Sequence, residues 1–497
     1  MASEIRVNKI ENRSGLGTVT FADTGVDLAG IVTATTFSGS GASLTALPAA
    51  QVTGTLPAIS AANLTNIPAA NVTGTLPAIS ALNLTNVPAA NVVGVHTSLT
   101  VTNATTTGTA VVGGGVTISE SGIEASGIGI TVANINGGQV GGRRNLIING
   151  GFLVAQRATT STASNYGSVD RFRIVNSGTD EAAFTQKQVT DSPDEFSQSY
   201  EIDITTAESS LDAAEYFIIR TILEAQTLQG LAFGSSSAKP ITLSFYVKAY
   251  QTGTYAASIY LDDTARAYTV NYTVNQSATW ERKTITFAGD PSGGINNDNG
   301  VGCYINWHLA AGTDYTSSTT HKNQWASFTN GSWAHGQTVN VLSSTDNYWK
   351  ITGVQLEIGS QATAFEHRSF TEELRLCQRY YYKHAFGSSE AGNLNISNNN
   401  MAVGMCAMYT STAGFGFIPH PVTMRTLPTL DKATGTDYYR VYARGGADNF
   451  NDISTQQFGV NGSVINYYDG FARTQGDAGW IQCYNASAYI AFVAEMN

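Results

Sequence analysis

Asp262 and Asp263, adjacent in YLDDTARAY, are the nearest the sequence comes to a catalytic carboxylate pair. Glycoside cleavage needs two carboxyl groups facing each other about 5–10 Å apart; a polar hairpin turn is the other reading of these residues, and the one adopted. The acidic loop GDPSGGINNDNG (289–300) offers oxygen ligands for calcium from Asp290, Asn296, Asp298 and Asn299. It fits no EF-hand spacing and reads first as a plain turn. The seven histidines, His96, His308, His321, His335, His367, His384 and His420, are scattered. No H-E-x-x-H, G-x-S-x-G, phosphate loop or dinucleotide fingerprint accompanies them. Cys303, Cys377, Cys406 and Cys483 lie far apart, as buried thiols would, rather than in a disulfide or zinc framework. No catalytic, cofactor or metal residue is assigned, and the chain is read as non-enzymatic.

Aromatic residues carry the remaining chemistry. Sugar rings present C–H faces that stack on Trp and Tyr, while their hydroxyls pair with Asn, Asp and Gln. Segment 304–333 holds Tyr304, Trp307, Tyr315, Trp325, Phe328 and Trp333 among Asn, Ser and Thr, and the distal part holds Tyr438, Tyr439, Tyr442, Tyr467, Tyr468, Trp480 and Tyr484. Core packing is the default for any single aromatic, but clustering in a long loop favours a contact role. The candidate receptor-contact residues are therefore Tyr438, Tyr439, Tyr442, Trp480, Tyr484, Trp325 and Trp333.

The elements that must position these residues are mostly β. Charged residues make up 13% of the 497 and Gly numbers 50; average usage is near 25% charged, and surface helices normally supply that charge. A net charge of −11 argues against nucleic acid and against an anionic membrane surface. No apolar run reaches membrane-spanning length, and MASEIRVNKIENRSG lacks the apolar core of a signal peptide. The expectation is synthesis in a cytoplasm and no membrane insertion.

Pro48, Pro68 and Pro88 mark a repeat of period 20, NLTNIPAANVTGTLPAIS at 63–80 being the clearest copy. No charged side chain occurs from Leu28 to Ser119. Proline at this density forbids a continuous helix or a central strand. One repeat has too few aliphatic groups for a core, so they are buried either by winding identical chains together, by stacking as a single-chain solenoid, or not at all in a flexible linker; the intertwined trimer is preferred. Gly137, Gly138, Gly141 and Gly142 form a hinge, with Arg143 and Arg144 a solvated collar. Strands are expected at 145–157, 169–175, 200–205, 216–223, 241–250, 255–261, 268–274, 280–287, 301–309 and 349–359, which makes a β-sandwich. FTEELRLCQRYYYK (370–383) reads as a helix with Glu372 and Glu373 in its first turn. The division is a 1–40 attachment segment, a 41–142 repetitive trimeric shaft, a 143–369 jelly-roll sandwich, a 370–384 helical connector and a 385–497 C-terminal β domain.

WKITGVQLEIGSQATAFEHRSFTEELRLCQRYYYK (349–383), with NLIINGGFLVAQR before it and PHPVTMRTLPTL (419–430) after it, resembles the carbohydrate-binding-type jelly roll of phage tail fibres. The start of the chain and its LPAAxVTGTLPA repeats resemble tail fibres of phages that infect marine cyanobacteria. The resemblance implies a homotrimer in the virion tail, assembled in the host cytoplasm. Its N-terminus would dock on tail adaptor or nozzle proteins. Its C-terminal domains would bind host cell-surface polysaccharide of lipopolysaccharide type. The alternatives are a glycan-depolymerising tailspike enzyme and a purely structural fibre or adaptor segment.

Overall fold

A computed structural model describes residues 9–11, 18–23, 25–36, 38, 45, 143–179, 181–394 and 401–496. The shaft expected over 41–142 and its glycine hinge lie, Thr45 apart, outside the described residues. The chain divides into two compact units, Met1–Thr117 and Ile118–Asn497.

In the first unit, β1 (Lys9–Glu11), β2 (Thr18–Ala22) and β3 (Gly25–Ala29) form an antiparallel meander. Val26, Leu28, Ile31 and Val32 are exposed on this unit.

The second unit begins with a jelly-roll-like sandwich of two antiparallel sheets. Its strands are β4 (Thr160–Ser161), β5 (Phe172–Ser177), β6 (Ala183–Val189), β7 (Ser199–Thr206), β8 (Tyr216–Glu224), β9 (Ile241–Ala249), β10 (Gly253–Leu261), β11 (Arg266–Val274), β12 (Glu281–Phe287), β13 (Val301–Ala311), β14 (Ala326–Ser327) and β15 (Tyr348–Ile358). One sheet runs β14-β11-β10-β13-β8-β5, the other β12-β9-β15-β7-β6-β4. Successive strands mostly change sheet, and Phe172, Phe217, Phe245, Trp307 and Trp349 fill one shared core. Strand β6, AFTQKQV, looks too polar to be noticed in sequence, yet it buries Phe184 and Gln186. In β15, Gly353 adopts φ +62° at a break in register between Thr352 and Gln355. A Cβ there would lie 2.6 Å from the Phe196 ring, so only glycine fits.

Two sequence expectations need correction. Residues 145–157 are not a strand: Asn149 (φ 61°) and Phe152 (φ 53°) are left-handed and break the extended run. Side chains replace the missing ladder. Asn145 Nδ2 donates to the Val354 carbonyl (3.0 Å), and Asn149 Nδ2 donates to the carbonyls of Val154 (2.8 Å) and Asp170 (2.9 Å). The helix is also shorter than 370–384. Helix α1 is Phe370–Gln378, capped where Ser369 accepts from the Glu372 N–H (3.3 Å), and Tyr381 has already entered a strand. The aromatic run YYYK prefers extended backbone, and its pairing partner lies more than 100 residues away, where no local pattern reveals it. Arg143 is exposed, as a solvated collar would be. It reaches Glu372 at 2.5 Å, and the Arg144 backbone N–H donates to Glu366 (2.8 Å).

The C-terminal part contains β16 (Tyr381–Phe386), β17 (Ala402–Met408), β18 (Ala413–Pro419), β19 (Thr429–Lys432), β20 (Tyr439–Ala443), β21 (Gly446–Phe450), β22 (Asp452–Gln457), β23 (Gly462–Tyr468), β24 (Ala478–Cys483) and β25 (Tyr489–Val493). A three-stranded sheet, β16-β25-β19, and a seven-stranded sheet, β21-β20-β24-β17-β18-β23-β22, contribute to one core around Tyr439, Phe450, Ile465, Tyr467 and Phe492. The last strand, β25, pairs with β16 and β19.

Candidate functional site

Alternation along three neighbouring strands creates a cleft on the sandwich's outer face. In β8, Phe217, Ile219 and Leu223 enter the core, so Tyr216, Ile218, Arg220 and Ile222 point the other way. In β13 the core takes Ile305, Trp307 and Leu309, leaving Tyr304, Asn306 and His308 outside; in β10 it takes Ala257 and Ile259, leaving Ser258 and Tyr260. Register then aligns Arg220 with Asn306 and Ser258, and Tyr304 with Tyr260.

Two other parts of the chain frame this face. The 313–338 loop folds over one end, where the Trp333 ring lies 5.2 Å from His308 and 5.1 Å from Tyr216. At the other end, Tyr380 and Met496 cluster with Ile222, and Tyr304 packs against them. On this face Tyr216, Arg220, Tyr260, Tyr304, Tyr315, Phe328, Asn330 and Trp333 line a cleft of about 350 Å³. Arg220 Nε donates to Asn306 Oδ1 (2.7 Å), and the guanidinium carbon lies 4.6 Å from the Tyr304 ring and 5.7 Å from that of Trp333. Burial pulls Arg220 down to about 10. Burial first, and nearby Asp262 second, push the Tyr304 hydroxyl up to about 12. His308 is fully buried and held down near 3 chiefly by burial, so it is neutral.

A second aromatic surface lies on the outer face of the seven-stranded sheet. Tyr442 and Trp480, paired across β20 and β24, stack with centroids 4.3 Å apart and planes 8° from parallel. Arg440 sits 3.4 Å over the Tyr484 ring. Trp480 (39% exposed), Met405 (68%) and Phe417 (61%) continue the apolar surface across β24, β17 and β18. Exposed apolar patches of this kind mark interaction sites more often than plain surface.

The seven sequence candidates therefore separate. Tyr442, Trp480 and Tyr484 share the exposed sheet face. Trp333 is buried, and it forms a wall of the cleft. Tyr438 is half-buried against the C-terminal core. The remaining two pack against neighbours. Tyr439 is wholly buried because inward alternation places it in the core, where its hydroxyl donates to the Ala433 carbonyl (2.6 Å), with the Tyr489 carbonyl also in reach (2.9 Å). Trp325 packs on Phe233 and Tyr268, and its indole N–H donates to the Ala288 carbonyl at 2.6 Å. Tyr304, Tyr315, Phe328 and Asn330 belonged to the aromatic segment legible in sequence; Tyr216, Arg220 and Tyr260 did not. The available signal was Arg220 itself, a lone cation inside the apolar strand YFIIRTILE.

Of the carboxylate candidates, Asp262 sits beside the Tyr304 hydroxyl, while Asp263 and Asp290 hold loops together. Asp263 accepts from the Asn296 backbone N–H (2.9 Å) and side chain (2.5 Å). Asp290 is wholly buried and binds Arg266 through two N–H groups (2.7 and 3.0 Å). His321 shares a hydrogen bond with Thr269 Oγ1 (3.1 Å). All four cysteines are free and buried.

No protein-family model and no curated protein matches the chain. Among solved structures it is similar to the enzymatically active domain of bacteriophage CBA120 tailspike protein 4, with TM-score 0.24 and 14% identity over 43% of this chain and 21% of that one. It thus spans about a fifth of that tailspike structure. A CBM4 module gives TM-score 0.24 and 15% identity over 42% of this chain and 97% of that one. The family 11 carbohydrate-binding module of the Clostridium thermocellum cellulase Lic26A-Cel5E gives 0.21 and 12% over 43% and 99%.

Proposed function

We propose that this chain is a non-enzymatic, homotrimeric tail fibre of a bacteriophage that binds host surface polysaccharide. The observation that carries the binding role is the cleft of about 350 Å³ walled by Tyr216, Tyr260, Tyr304 and Trp333, with Arg220 and Asn330 as polar groups. Flat rings with a few convergent donors suit a pyranose, which offers apolar faces and a rim of hydroxyls. The uncharged, aliphatic repeats support the trimeric shaft, and light scattering should then give three chains' mass. The N-terminal segment is the part assigned to the tail adaptor.

A second reading places the receptor on the seven-stranded sheet, because the Tyr442–Trp480 stack presents a flat, partly exposed aromatic platform. Adsorption of labelled protein to host cells separates the two. Tyr260→Ala should weaken adsorption about tenfold, which is about 1.4 kcal/mol, with the melting temperature little changed. Unchanged adsorption by that variant would remove the cleft from the receptor site.

A further inference from the structure

We propose that the cleft recognises an acidic sugar, a ring bearing a carboxylate, through the guanidinium of Arg220. This deepens, and rests on, the glycan-binding role of the cleft.

The reason is an imbalance of charge. Three other arginines of the sandwich face a carboxylate: Arg171 meets Glu495, Arg266 meets Asp290 through two N–H groups, and Arg368 meets Glu373 at 3.4 Å. Arg220 meets none among the described residues. Its hydrogen bond there runs from Nε to the neutral amide of Asn306. A guanidinium carries five N–H donors, so the end facing the cleft keeps most of its hydrogen-bonding capacity. Burying a cation without a counter-charge is costly, and the lowered proton affinity of Arg220 registers that cost. Arg173 stands directly across from Arg220 in the sheet and makes the local field more positive. Like charges so placed repel, and an incoming anion would relieve that repulsion.

The geometry is also held ready. Asn306, which fixes Arg220, donates its Nδ2 to Ser258 Oγ (3.2 Å), and Ser258 shares a hydrogen bond with His308 (3.1 Å). Asn306, Ser258 and His308 are wholly buried. The fork of a guanidinium fits a carboxylate through two parallel N–H bonds, which a lysine cannot reproduce. The neighbouring Tyr304 and Trp333 rings supply faces for the sugar that carries the acid. Asp262 acts on Tyr260 and Tyr304 from the hairpin turn, but it is not among the cleft-lining residues.

The test uses the full chain and matched saccharide pairs. Oligomers of galacturonate, glucuronate, mannuronate and N-acetylneuraminate are each titrated as the free acid and as the methyl ester, with calorimetry as the readout. Esterification removes the charge and leaves the ring intact. At least one free acid should bind about tenfold or more tightly than its ester. Arg220→Met should abolish that ratio, while Arg220→Lys should keep part of it and controls for a folding defect. If acids and esters bind the wild-type protein alike, or if Arg220→Met keeps the ratio, the acidic-sugar inference fails and glycan binding stands. If no saccharide binds and Tyr260→Ala adsorbs to cells normally, both fail together.

Discussion

Replacing Glu495 by glutamine tests what ties the last residues to the sandwich, where Met496 and Tyr380 pack beside Tyr304 of the cleft. Arg171 is 1% exposed and adopts φ 72°, a left-handed conformation that a long side chain takes only when its surroundings impose it. Three contacts do so. Arg171 forms an ion pair with Glu495, donates to the Ile222 carbonyl at 2.6 Å and stacks 3.4 Å over the Tyr380 ring. Glu495 also lies 3.4 Å from Arg157, and Arg425 donates to the backbone carbonyls of Ala494 (2.8 Å) and Glu495 (3.0 Å).

Breaking a buried pair costs about 3–5 kcal/mol because one charge is left behind. Glutamine keeps an acceptor near Arg171, and the Ile222 carbonyl and Tyr380 ring remain, so the lower part of that range, about 3 kcal/mol, is expected. At about 2–4 °C per kcal/mol for domains of 150–250 residues, Glu495→Gln should lower the melting temperature by roughly 6–12 °C in calorimetry. Because Met496 and Tyr380 pack with Ile222 and Tyr304, the same variant should also weaken saccharide binding in the cleft. The double variant Arg171→Met/Glu495→Met removes both charges of this pair, leaves Arg157 without Glu495, and should recover part of the lost stability. If Glu495→Gln melts within about a degree of wild type, or the double variant is worse than the single one, the ion pair is not what fixes the terminus.

Two further outcomes follow from other contacts. Glu208 is 2% exposed, and burial first, Glu215 second, push it up to about 7 from 4.5. The folded chain therefore keeps a proton there that the unfolded chain releases, so this contribution is full below about pH 4.5 and is lost as pH rises to about 7, by at most about 3 kcal/mol. Glu208→Gln should flatten that slope in melting curves recorded between pH 5 and 8, and an unchanged slope assigns it to other groups. Trp480→Ala removes the stack with Tyr442 and should cost only about 0.5–1.5 kcal/mol in denaturant unfolding. If its adsorption to cells also drops tenfold, the seven-stranded sheet carries the receptor contact.

How much of this was legible in the sequence depended on the range of the interaction. Strands with strong alternation, such as ITLSFYVKAY and YTVNYTV, were placed within a residue or two, since each follows from which side chains must face inward. AFTQKQV was missed because its buried polar residue, Gln186, is satisfied by partners outside the strand, among them Ser168 and Tyr200. NLIINGGFLVAQR looked like a strand by its apolar content. Its asparagines, however, make contacts with Val354 and Asp170 that only the folded chain brings near. The same limit shortened α1, because the competing strand pairs Tyr381 with Val493.

The cleft was half legible for a related reason. Tyr304, Tyr315, Phe328 and Trp333 are close in sequence, so their density could be seen, but burial sorts such a cluster by strand parity. Trp307, in the same strand as Tyr304, faces the core and is wholly buried. Parity also turns Tyr439 into the core while leaving Tyr442 partly exposed. Arg220 is the deeper case. One cation in an apolar strand announces only that something compensates it, and in most of this sandwich that something is a carboxylate from a distant loop. Here register supplies Asn306, Tyr304 and Arg173 instead, and none of these neutralises the charge. A partly buried charge that the fold positions but does not balance is what the acidic-sugar proposal rests on, because stability alone would favour an apolar residue there.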